Sequence, residues 1–169
     1  ILHSPSLRIY SNDDVIGTEL GGALKNVIAV ACGVADGLNL GASARASLMT
    51  RGLAEITRLG VAMGAKPLSF SGLAGVGDLI LTCTGDLSRN RTLGKRLAAG
   101  EKASDIIASQ KSVAEGYVTV KPAIELAEKH GVDMPISRAV YRVCYENENI
   151  IKEIKTLMSR DSKDEFAGI

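Results

Sequence analysis

Apolar residues recur along this chain at spacings of three and four, which predicts helices almost throughout. The longest such stretch covers 15–36. Its stripe is Leu20, Leu24, Val27, Ile28, Ala31, Val34 and Ala35, and most of its other positions are small or apolar too. A helix that is apolar nearly all round is predicted to be buried. A second stretch, 43–63, turns Leu48, Leu53, Ile56, Leu59 and Met63 inward and carries Arg45, Arg51, Glu55 and Arg58 as surface decoration. Shorter helices are predicted near 92–99, 103–110, 117–129, 136–145 and 149–158, punctuated by Gly100, Gly131 and Pro135. His130-Gly131 reads as a helix end with the glycine just past it.

Only Leu7-Arg8-Ile9-Tyr10 alternates like a strand, and a single strand is not stable alone. The simplest expectation is a longer protein of which this chain is the C-terminal part. Residues 1–14 would then be the end of a sheet-containing domain and a linker, 15–160 an all-helical domain, and 161–169 a frayed tail.

Composition narrows the function classes. A net charge of +1 gives no electrostatic reason to expect nucleic acid or an anionic membrane as partner. Lys25 and the glycines interrupt the best candidate for a membrane span, so none is expected. Cys32, Cys83 and Cys144 are far apart and lie in apolar surroundings, as reduced thiols of a cytoplasmic protein would. With only His3 and His130 available, neither a zinc site nor a histidine base is expected. Acid–base chemistry falls to Lys, Asp or Glu.

Three features stand out chemically. Lys25 is the only charge between Glu19 and Asp36. A lone ammonium in a buried helix is costly unless it is paired or can give up its proton. It is either a proton donor or a lysine whose head reaches water at the helix surface. Asp78 is the only charge between Lys66 and Asp86, within Gly75-Val-Gly-Asp78. It is either a helix cap or a carboxylate that pairs with the lysine or grips a substrate hydroxyl. Ser88-Arg89-Asn90-Arg91 opens a helix, and free backbone donors beside arginine suit a phosphate as well as a solvated basic turn. Gly72-Leu-Ala-Gly75-Val-Gly77 lacks the spacing of a dinucleotide fingerprint and follows no strand, so close packing explains it better. Gly21 and Gly22 likewise predict a close approach to the backbone.

Taken together, Gly21-Gly-Ala-Leu-Lys-Asn26, Asp36-Gly37, Arg51-Gly-Leu-Ala-Glu55, Gly72-Leu-Ala-Gly-Val-Gly-Asp78, Thr82-Cys83, Ser88-Arg-Asn90 and Ala114-Glu-Gly116 resemble, in order and spacing, the C-terminal domain of bacterial-type NAD(P)-dependent glycerol-3-phosphate dehydrogenases. The resemblance implies an all-α substrate domain similar to the C-terminal domain of 6-phosphogluconate dehydrogenase. It implies hydride transfer between NAD(P)H and dihydroxyacetone phosphate to give sn-glycerol 3-phosphate for glycerophospholipid synthesis. By the same resemblance Lys25 is the proton donor, Asp78, Ser88, Arg89 and Asn90 contact substrate, and Arg89, Val113 and Glu115 touch the cofactor. The partner implied is an N-terminal Rossmann domain carrying most of the NAD or NADP site. Without it this chain is expected to be inactive, and a homodimer is left open. Two other readings are a helical interaction module that has lost catalysis and a related dehydrogenase for another hydroxyacid.

Overall fold

A computed structural model describes residues 4–109, 112–162 and 164. Among these the architecture is helical. The long helix α1 (Val15–Gly37) is surrounded by α2 (Gly41–Ala62), α3 (Asp78–Thr84), α4 (Arg89–Ala98) and α6 (Glu115–His130). The remaining helices are α5 (Ala103–Ser109), α7 (Pro135–Tyr145) and α8 (Ile150–Met158).

The near-continuous apolarity of α1 has a direct structural cause. One side, with Leu24, Ile28 and Cys32, joins Ile56, Leu59, Phe70, Leu79 and Cys83. The other, with Val27 and Val30, joins Leu93, Leu97, Ile106, Val120 and Ile124. A helix between two apolar clusters leaves little room for charge. By length and composition α1 could also cross a membrane, and half of its most apolar window is buried inside this fold. Cys32, Cys83 and Cys144 are free and buried. Burial pushes the Cys144 thiol up to about 12.

Small residues set how closely α4 and α6 approach α1. A Cβ on Gly33 would lie 2.1 Å from the Arg91 carbonyl oxygen, and one on Gly94 would lie 2.1 Å from that of Val30. Gly21 meets the Ala74 carbonyl in the same way, as expected, whereas Gly22 faces open space.

The N-terminus of α1 is closed by Asp14. Its Oδ1 accepts from Gly17 N at 2.9 Å, and its Oδ2 accepts from Lys66 N at 2.8 Å and Ser69 Oγ at 2.5 Å. One carboxylate therefore caps the helix and pins the 3-10 turn Pro67–Ser71 beside it. These donors hold the Asp14 carboxyl below its ordinary value, the Ser69 hydroxyl most strongly.

Several expectations need correction. Leu7–Tyr10 pairs with no second strand among the described residues, where Ser4 and Leu7 form an isolated bridge across a turn. The glycine-rich stretch before Asp78 is itself helical, a single π-helical turn Leu73–Gly77 that runs into α3. Helix α4 begins at Arg89, three residues earlier than its apolar pattern, because Ser88 caps it. Glu55 is not surface decoration. It is 1% exposed, and its carboxylate accepts from Ile136 N at 2.6 Å, Ser137 N at 3.0 Å and Ser137 Oγ at 2.9 Å. It caps α7 from a neighbouring helix. Gly131 does end α6 in the left-handed conformation, with φ 66°. His3, Gln110 and all of the predicted tail except 161, 162 and 164 lie outside the described residues.

Candidate active site

The site is built where α1, α3 and the starts of α4 and α6 meet. Lys25 lies on α1 and Asp78 opens α3. Lys25 Nζ donates to Asp78 Oδ2, so the two isolated charges of the sequence neutralise each other. Neither is sealed in the core. The Lys25 side chain is 19% exposed and that of Asp78 32%. The apolar helix carries its ammonium at the margin of the packed core, where the head is paired and still open to solvent. Asp78 follows the helical turn Leu73–Gly77 without capping α3, and the Thr82 hydroxyl donates to its carbonyl at 2.7 Å.

The residue after Lys25 was missed from sequence and organises the site. Asn26 is 5% exposed. Its Oδ1 accepts from Asn90 Nδ2 at 2.8 Å, and its Nδ2 donates to Glu115 Oε2 at 2.9 Å. Asn90 Oδ1 in turn accepts from Gly116 N at 2.8 Å. Buried amides need such partners, and here each supplies the other's. The chain of bonds ties α1 to the first turns of both α4 and α6. A cue was present in the sequence: an amide directly after the lone lysine, inside an otherwise apolar run.

Arg89 directly precedes Asn90 in the first turn of α4. Arg89 is exposed and makes no ion pair among the described residues. Ser88 Oγ accepts from Arg91 N at 3.3 Å, so its hydroxyl serves as the helix cap. Glu115 occupies the first turn of α6, a favourable place for its charge. Val113, in the approach to that helix, is 49% exposed.

The structure thus forms two bonded sets from consecutive residues of α1: Lys25 with Asp78, and Asn26 with Asn90 and Glu115. Ser88 and Arg89 precede Asn90 along the chain, and Val113 lies two residues from Glu115. An ammonium beside a carboxylate can move a proton, and a free guanidinium at a helix start can hold an anion. A dinucleotide fits this chain only in part. The Gly72–Gly77 stretch offers no cradle, because a Cβ on Gly75 would already lie 2.1 Å from the Phe70 carbonyl oxygen. Arg89, Val113 and Glu115 remain as exposed groups that a cofactor held elsewhere could touch. No cluster of three or more His, Cys, Asp or Glu side chains suited to a metal occurs among the described residues.

Known proteins share the sequence and fold of this chain. Residues 14–155 match the family described as the NAD-dependent glycerol-3-phosphate dehydrogenase C-terminus. The glycerol-3-phosphate dehydrogenase [NAD(P)+] of Geobacter sulfurreducens is 56% identical over 162 residues, which is 96% of this chain and 48% of that protein. Its counterpart from Myxococcus xanthus is 52% identical over 168 residues, 99% of this chain and 50% of that one. The crystal structure of glycerol-3-phosphate dehydrogenase from Coxiella burnetii superposes with a TM-score of 0.89 at 42% identity, covering 94% of this chain and 49% of that one. The chain spans about half the length of the curated relatives it matches.

Proposed function

The chain belongs to the family of NAD-dependent glycerol-3-phosphate dehydrogenase C-terminal domains, and from that premise we propose that it supplies the substrate-binding and proton-transferring half of such an enzyme. The reaction is the reversible reduction of dihydroxyacetone phosphate to sn-glycerol 3-phosphate. The cofactor, NAD(P)H, supplies the hydride and is held mainly by a nucleotide-binding domain that packs against this one.

The observation that carries the reading is the Asn26–Asn90 hydrogen bond, which joins the turn bearing Lys25 to the turn bearing Arg89. A phosphorylated carbonyl compound has two ends to be held, and this bond sets the two cationic groups on adjoining elements. Arg89, with the first turn of α4, binds the phosphate. Its binding energy is spent on placing the carbonyl, which takes no other part in that contact. Lys25 stands at the carbonyl oxygen. As the hydride adds to carbon, negative charge develops on oxygen. The ammonium stabilises that charge and then passes a proton from Nζ to the oxygen. The reverse reaction returns the proton to the neutral amine. Asp78 holds the lysine head in place and contacts the substrate hydroxyl, and Val113 and Glu115 border the cofactor. The enzyme is cytoplasmic, and a homodimer is compatible with the domain.

Lys25→Ala, made in the intact enzyme that contains this chain, is expected to lower kcat by about 10²–10⁴ with KM for dihydroxyacetone phosphate changing far less. Turnover within a few-fold of wild type would overturn the assignment.

A further inference from the structure

Beside the proposed site lies a set of charges that the reaction does not use. Arg91, in the first turn of α4, donates from Nε to Asp36 Oδ2 at 2.5 Å and from Nη1 to Asp86 Oδ1 at 2.8 Å. Asp36 also accepts from Arg45 Nη1 of α2 at 2.6 Å. The Arg91 and Asp36 side chains are about nine-tenths buried, whereas that of Asp86 is 95% exposed.

Part of this arrangement is explained by α1 alone. Asp36 stands in the last turn of that helix, where the dipole is already negative and no basic residue is present. Two guanidiniums from neighbouring helices compensate it. The bond to Asp86 has no such purpose. Asp86 belongs to the turn between α3 and α4, in which Leu87 is 97% exposed. Apolar burial does little to hold that turn. What holds it are polar contacts: Ser88 N to the Gly85 carbonyl at 3.2 Å, the long Ser88 cap and the Arg91–Asp86 pair. Arg91 is itself immobilised by Asp36 and by the close seam between α1 and α4, so it can serve as a fixed post. The forked, planar guanidinium suits this, because two carboxylates from different elements are engaged by different nitrogens.

We propose that Arg91 is a positioning residue: clamped on Asp36, it holds the turn through Asp86 so that the next residues, Ser88 and Arg89, are presented to the substrate phosphate. The inference rests on the reading of Arg89 as the phosphate ligand.

The test uses the intact enzyme and steady-state kinetics with dihydroxyacetone phosphate, alongside unphosphorylated dihydroxyacetone. Asp86→Asn is expected to raise KM for the phosphorylated substrate about 3- to 5-fold, with kcat within about 2-fold. The unfolding midpoint should not move, because the side chain is exposed. Arg91→Lys is expected to raise the same KM about 10-fold, and adding Asp86→Asn to it should change little more. Neither variant should alter kcat/KM for dihydroxyacetone. Arg89→Ala separates the two ideas. If Arg89→Ala raises KM while Asp86→Asn and Arg91→Lys do not, the positioning role falls and the phosphate reading stands. If Arg89→Ala leaves KM unchanged, the phosphate reading falls and takes this one with it. A loss of thermal stability in Arg91→Lys without a change in KM would also overturn the proposal, since a purely structural pair would behave that way.

Discussion

Replacing Glu55 by glutamine is expected to cost most stability at acid pH and progressively less as the pH rises through neutrality. Glu55 is 1% exposed, and burial raises its carboxyl from 4.5 to about 7. The donors Ile136 N, Ser137 N and Ser137 Oγ pull in the opposite direction, with Arg58 nearby, and they do not win. A group whose folded value is raised binds more protons in the folded state than in the unfolded state. Its contribution is therefore fully present below about 4.5 and is lost as the pH rises toward 7. At ~1.4 kcal/mol per pH unit, the ionised form is worse than the protonated form by about 3 kcal/mol. Glutamine does not titrate, but it has a single acceptor oxygen, and its NH2 sets a donor against one of the buried donors Ile136 N and Ser137, at a cost of about 1–3 kcal/mol at every pH. Glu55→Gln should thus be less stable than wild type near pH 4.5, and that deficit should shrink by up to about 3 kcal/mol by pH 8. Glu55→Ala removes every acceptor from three buried donors at the start of α7. It should cost on the order of 3 kcal/mol or more at pH 5, taking about 1 kcal/mol for each orphaned group. Urea denaturation followed by circular dichroism from pH 4.5 to 8 measures all three proteins. A stability difference between wild type and Glu55→Gln that stays flat across that range would refute the reasoning.

Glycine positions offer a paired check on packing. Gly33→Ala forces a Cβ to within 2.1 Å of the Arg91 carbonyl oxygen and should cost more than about 2 kcal/mol. Gly22→Ala, with nothing within 4 Å, should raise the melting temperature, as an alanine in an α-helix gains up to about 1 kcal/mol over glycine. Equal effects at the two positions would show the seam between α1 and α4 to be looser than described. Asp14→Ala should cost about 1–2 kcal/mol at pH 7. Because its donors lower the Asp14 carboxyl, the difference from wild type should shrink as the pH falls through the ordinary carboxylate range and below it. A pH-independent difference in acid titrations would contradict that cap.

Much of the helical order was legible because it depends on local spacing. The stripe of α1, the end of α6 at Gly131 and the punctuation by Pro135 are read within a few residues of chain. The Lys25–Asp78 pairing was also within reach. Each was the lone charge of an apolar stretch, and two such charges of opposite sign have few other partners. Boundaries were weaker where a side-chain cap outranked the apolar pattern, as at Ser88.

What the chain determined by itself was therefore the set of helices and which of their charges stood out. Only the tertiary structure decided what those charges and amides do. Glu55 reads by its charge as a surface residue of α2, although it shares the face of Leu48 and Leu59, until α7 places its unpaired backbone donors over it. Asn26 stands out only as an amide in an apolar run, and its role appears when Asn90 and Glu115, 64 and 89 residues away, arrive to satisfy it. Arg91 looks like one more basic residue until Asp36 and Asp86 are brought to either side of it. The physical reason is the same in each case. Apolar burial follows a local period, whereas a polar group's role depends on which partner the fold delivers within about 3 Å, and that partner is distant in sequence.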